Sequence, residues 1–100
     1  MQTNQNIPIY RVTKDWKGAI ASELIDYYDV WFEFGEVYKY VNVNGGFIKM
    51  EIGKGFCILG SELDLKDCYL LFKDKRYDIN SPEIFYDRRG NFHHTEFTFK

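Results

Sequence analysis

From Asp26 to the C-terminus, apolar and polar residues alternate in short runs, and most runs end on glycine, asparagine, aspartate or proline. A period of two sends successive side chains to opposite faces of an extended chain, so the pattern predicts strands joined by turns. Residues 27–34 open the series, rich in aromatic and β-branched side chains, and Gly35-Glu36 predicts a tight break after them. In residues 37–43, Val37, Lys39, Val41 and Val43 share one face, with Tyr38, Tyr40 and Asn42 on the other. Asn44-Gly45-Gly46 follows, and Asn and Gly tolerate the positive φ that hairpin turns demand. Residues 47–52 return with Ile48, Met50 and Ile52 on one face, which completes the clearest hairpin in the chain.

Gly53-Lys54-Gly55 reads as a further turn, and residues 56–59 as a short buried strand. After a polar loop at 60–67 come strands at 68–72 and 76–79, joined by the turn Lys73-Asp74-Lys75, with Tyr77 and Ile79 facing the core. Ser81-Pro82 predicts a break in the ladder, since proline has no amide hydrogen to donate. Residues 84–86 and 92–99 then flank the turn at 87–91, with His93, Thr95, Phe97 and Phe99 on one face of the last strand. Evenly spaced short strands of this kind predict an all-β, mainly antiparallel fold, a small β-barrel or sandwich.

The first quarter of the chain is less regular. Residues 1–8 are polar up to Ile7-Pro8 and are expected to form a flexible arm, with a single β domain over 9–100. Residues 9–12 alternate as a short strand. Ala19, Ile20, Glu23 and Leu24 give residues 15–25 helix-like spacing, but Gly18 weakens it, so short helix and irregular loop both stand there.

Composition changes the picture at one point. Aromatic residues make up 19% of the chain, eight of them tyrosines, which is more aromatic area than the core of a hundred-residue domain absorbs. Tyr10, Trp16, Trp31, Tyr38 and Tyr40, with the basic pair Arg88 and Arg89, are therefore the candidate interaction residues. A net charge of −2 lacks the concentrated positive footprint of a phosphate binder, although Lys73, Lys75, Arg76, Arg88 and Arg89 would cluster on two turns.

Chemical motifs are sparse. Cys57 and Cys68 form no CxxC pair, so no structural zinc site and no cofactor are expected; two free thiols suit a reducing, cytoplasmic setting. No signal-like apolar stretch opens the chain, and no run approaches the length of a membrane span. His93 and His94 are neighbours on a strand and should point to opposite faces, out of reach of a common metal ion, whereas His94 and Glu96 share a face. Gly53-Lys54-Gly55 lacks the rest of a phosphate loop. Asp26, Asp29, Glu33 and Glu51 carry no pattern of a carboxylate pair, and Ser22, Ser61 and Ser81 sit in no nucleophile-elbow context. Cys57 lies in an apolar run and reads as a core residue. No catalytic set emerges, and an enzyme is not expected.

The C-terminal third, residues 67–82 and 87–96, resembles the end of tailed-phage head–tail joining proteins, the head-completion or stopper subunits. The elements that carry the likeness are Lys75, Arg76, Tyr77 and Ile79 on a hairpin, the Asp87…Gly90 turn, and a last strand with His94 and Glu96. The resemblance implies a virion subunit assembled in the host cytoplasm, a homo-oligomeric ring that touches portal, adaptor and tail proteins. Such a ring closes the head after packaging, and DNA passes through it without sequence-specific binding. An oligonucleotide-binding barrel, with Tyr38, Tyr40 and Tyr69 as stacking platforms, and a small inhibitor of a host protein are the alternatives.

Overall fold

The computed structural model describes residues 2–100 and contains six strands and no helix: β1 (Gln5–Lys14), β2 (Ile20–Val43), β3 (Gly46–Leu59), β4 (Cys68–Phe72), β5 (Lys75–Tyr86) and β6 (Phe92–Phe99). All neighbours are antiparallel, and the sheet closes on itself in the order β1-β2-β3-β6-β5-β4. Closure removes the edges within the barrel, and open edges remain where β1, β2 and β3 run on beyond their barrel partners. The all-β expectation is met.

Alternation decides what lies inside. Ile7 and Ile9 of β1, Val30 and Phe32 of β2, Cys57 and Leu59 of β3, Leu70 of β4, and Thr95, Phe97 and Phe99 of β6 are buried, with Tyr77 and Ile79 of β5 packed against them. The antiparallel order fixes two rims. The β1–β2 turn, the 60–67 loop and the β5–β6 turn lie at one; the β2–β3 and β4–β5 turns lie at the other. At the first rim Leu65 plugs the barrel, its loop tied down by Thr95 Oγ1 donating to Ser61 O at 2.7 Å and by the Arg11 guanidinium donating to Asp64 O. At the second, Phe32, Phe34, Phe72, Tyr77 and Phe99 close the interior; Phe32 and Phe99 stack with centroids 4.6 Å apart.

Several sequence expectations are corrected here. Residues 15–25 are neither helix nor loop throughout. Asp15 Oδ1 accepts the N–H groups of Lys17 and Ala19 in a tight turn, and β2 begins at Ile20, paired with Lys14. Tertiary pairing with β1 overrides the weak helical spacing. The expected arm at 1–8 gives Gln5–Pro8 to β1, because Ile7 is needed in the core; Met1 lies outside the described residues. Gly35-Glu36 and Ser81-Pro82 do not end strands; register shifts absorb them within β2 and β5. Nor is Gly53-Lys54-Gly55 a turn. It is the middle of β3, where Gly53 and Gly55 make room for Thr98 and Phe99 of β6.

The 24 residues of β2 would run roughly 79 Å if straight at about 3.3 Å per residue. The molecule is only 43 Å along its longest axis, so β2 bends. Its register shifts, at Ile25 and around residues 34–38, are where bulges of this kind bend a strand. One strand thereby belongs to the barrel in its middle and to a two-stranded arm at either end.

Candidate functional site

The two arms carry most of the exposed apolar surface. The shorter, where β1 beyond Arg11 pairs only with the start of β2, bears Trp16 and Ile20, with Leu24 and Tyr27 following along β2 on the barrel wall; the longer, from residues 37–51 of β2 and β3, bears Tyr38, Tyr40, Val43, Phe47, Ile48 and Met50. Trp16 is 90% exposed, Phe47 74% and Ile20 73%. The long arm is built as the sequence predicts, around Asn44 (φ 50°) and Gly45 (φ 83°), with Lys39, Val41 and Val43 opposite Met50, Ile48 and Gly46. On its other face the Lys49 ammonium lies 3.9 Å from the Tyr38 ring centroid, and the Tyr38 hydroxyl donates to Glu36, which raises the phenol's pKa. Among the described residues nothing covers either face, and an isolated two-stranded ribbon in water is marginal on its own.

The seven residues proposed for interaction do not form one site. Trp16 sits at the tip of the short arm with Lys17 over its ring at 4.9 Å. Tyr38 and Tyr40 lie on the long arm, at the opposite rim. Trp31 is half-buried on the barrel wall and donates from Nε1 to Glu33 at 2.7 Å. Arg88 and Arg89 are exposed in the β5–β6 turn, whose Asp87 carboxylate accepts the N–H groups of Asn91 and Arg89. Those bonds hold Asp87 below its usual carboxylate value. Tyr10 is locked in a column: its ring stacks on Tyr69 at 5.1 Å, and the Arg76 guanidinium covers Tyr69 from the next strand at 4.0 Å. Tyr69 is buried between those neighbours, so it is not a free stacking platform for a base.

The exposed Phe47, Ile48 and Met50 of the long arm escaped the candidate set. Ile48 and Met50 alternate as a core face would, and Phe47 lies on the opposite face with Tyr38 and Tyr40; only the tertiary structure shows both faces exposed.

The histidine pair differs from expectation. His93 and His94 do not point apart: their Nδ1 atoms are 2.6 Å from one another, where a register shift in the β5–β6 pairing leaves His93 as an extra residue between Phe92 and His94. His94 Nε2 lies 2.9 Å from Glu96 Oε1, the predicted same-face pair, and the His94 ring stacks on Phe85 at 4.8 Å. The run His93–His94–Glu96 lines a shallow cleft beside Ile58. Two imidazoles sharing one proton and one carboxylate can relay or hold a proton. Among the described residues no group of three or more His, Cys, Asp or Glu is placed to hold a metal ion.

Both cysteines are free and buried. Burial in the barrel pushes the Cys57 thiol far up, which keeps it protonated and unreactive. Cys68 lies at the first rim, where its Sγ is 3.4 Å from Lys66 O. A cleft of about 500 Å³ opens beside it, between Lys14, Ile20, Arg76 and Asp78. No helix is long and apolar enough to cross a membrane. In comparisons with known proteins, no family model, no curated protein and no solved structure matches this chain.

Proposed function

We propose that this chain is a structural subunit that assembles head to tail into a ring, of the kind that completes the head and receives the tail in tailed phages. The observation that carries the reading is the pair of apolar arms leaving the barrel at opposite rims. Exposed apolar surface on this scale marks an interaction surface. Two different apolar surfaces on one subunit suit a heterologous contact, which repeats from copy to copy and closes when the rotation allows. The closed barrel supplies a rigid body between the arms, and the −2 net charge suits a ring that lets DNA pass without gripping it. The connector role itself comes from the likeness of residues 67–96 to head-completion proteins.

Base stacking is less well supported, since Tyr69 is enclosed and the Tyr38 face carries Lys49. The test is mass measurement in solution over a wide concentration range, followed by imaging of any assemblies. Rings or short head-to-tail oligomers support the reading. A monomer at every concentration, with and without DNA-filled heads lacking their connector, overturns it.

A further inference from the structure

Each two-stranded arm leaves backbone edges open, and one on β2 and one on β3 lie at opposite rims. From Asp29 back to Ile20, β2 pairs with β1 alone, and no strand pairs with its other side. From Gly46 to Lys54, β3 pairs with β2 alone, because β6 joins it only from Gly55 onward. Each open edge includes a run without register shifts: residues 20–24 on β2, and 46–51 on β3.

The two edges carry opposite charge. Residues 20–29 contain Glu23, Asp26 and Asp29 and no lysine or arginine, whereas residues 46–54 of β3 contain Lys49 and Lys54 against Glu51, with Lys39 opposite Met50 on the paired strand. The ion pairs among the described residues are Arg76–Asp78 and His94–Glu96, so none of these charges sits in one, although Arg11 is the register partner of Glu23. Asp29 accepts a hydrogen bond from Asn6 Nδ2, and Asp26 from the Tyr27 N–H; Glu23 has no such partner. Both edges also present apolar side chains, Ile20 and Leu24 on one, Phe47, Ile48 and Met50 on the other.

We propose that residues 47–51 of β3 add edge-on to residues 20–24 of β2 in a second copy, so that the sheet of one subunit continues into the next. The inference rests on the ring reading and specifies its contact. Strand addition supplies main-chain hydrogen bonds, and alternate side chains set which edges match. The acidic edge repels its own kind and attracts the lysine-bearing arm, so charge favours the unlike pairing over two acidic edges meeting. Donor and acceptor edges lie at opposite rims, which makes the contact heterologous.

The experiment uses two full-length double variants, Lys39→Glu/Lys49→Glu and Glu23→Lys/Asp26→Lys, checked for native far-ultraviolet dichroism. Each alone should associate at least about tenfold more weakly than the parent chain, because like charges then face each other. Mixed one to one they should regain parent-like assembly, alternating around the ring. A mixture of Ser22→Cys and Lys49→Cys chains, the residues that face each other in this contact, should form heterodimeric disulfides that neither forms alone. If the parent assembles and both charge variants assemble equally well alone, the strand contact is overturned and the ring reading stands. If the parent and the mixture both stay monomeric, the ring reading and this contact fall together.

Discussion

The ring of Phe99 lies against the backbone of Gly55, its register partner on the neighbouring strand, in the space that a side chain at Gly55 would need. A Cβ there would overlap the Phe99 ring and come within 2.6 Å of the Glu33 carbonyl oxygen. The ring is held in turn by its stack on Phe32 and by edge contacts with Phe34 and Tyr77. The glycine therefore lets one aromatic residue close the second rim.

Gly55→Ala should destabilise the domain by about 3 kcal/mol, at the upper end of ordinary overpacking, since neither the stacked ring nor the Glu33 backbone can give way. Phe99→Ala should cost about 4 kcal/mol by leaving a cavity. Urea unfolding midpoints check both. A Gly55→Ala variant as stable as the parent would show that the ring is not confined there.

Ile48→Ser, by contrast, should leave stability within about 0.5 kcal/mol of the parent when measured on the monomer, because its side chain is exposed on the arm. The same substitution should weaken assembly. Paired unfolding and sedimentation measurements separate the two effects, and a large loss of monomer stability would place the arm in the folding core instead.

Cys57 gives a pH dependence on the alkaline side. Its folded-state pKa is raised by burial, so above the ordinary thiol value of about 8.5 the unfolded chain loses a proton that the native chain keeps. The stability this group contributes is full below that value and declines as pH rises above it. Denaturant titrations from pH 7 to pH 10 should show the decline, and Cys57→Ala should remove that part of it. In the native state the thiol should resist alkylation; rapid labelling under native conditions would contradict its burial.

Asp87 acts in the opposite sense. The amides of Asn91 and Arg89 lower its pKa in the folded state, so the stability it contributes is present above about pH 3.9, the unfolded carboxylate value, and is lost as pH falls through the lower folded value. Asp87→Asn keeps an acceptor in the turn and removes the titration. Its acid-unfolding curve should lack that component, and identical acid curves for the two proteins would show that the turn is not held by the charge.

The His93–His94 contact can carry only one proton between its two Nδ1 atoms. Long-range nitrogen–proton correlation spectra should show a single Nδ1–H across the pair. His94→Ala also leaves Glu96 directly opposite Glu83 without its partner and should cost about 1 kcal/mol. Two Nδ1–H signals would rule the shared proton out.

Much of this protein was legible in local pattern. Alternation located the strand at 92–99 and the buried faces of Phe97 and Phe99, and Asn44-Gly45-Gly46 marked the long hairpin. The His94–Glu96 pair followed from the two-residue period of a strand. Those features depend on neighbours in sequence, where backbone geometry alone sets direction.

What the tertiary structure decided depends on partners far along the chain. Residues 15–25 became turn and strand because β1 lay beside them, and Gly53 and Gly55 served packing against β6 where a turn had been expected. His93 met His94 because a register shift against β5 leaves His93 unpaired and breaks the alternation there. The absence of a catalytic set in the sequence was a local reading. That the apolar faces of residues 20–27 and 37–51 stand uncovered, toward opposite rims, could come only from the closure of the sheet. An alternating pattern states which side chains share a face, and the rest of the chain determines whether anything packs on it.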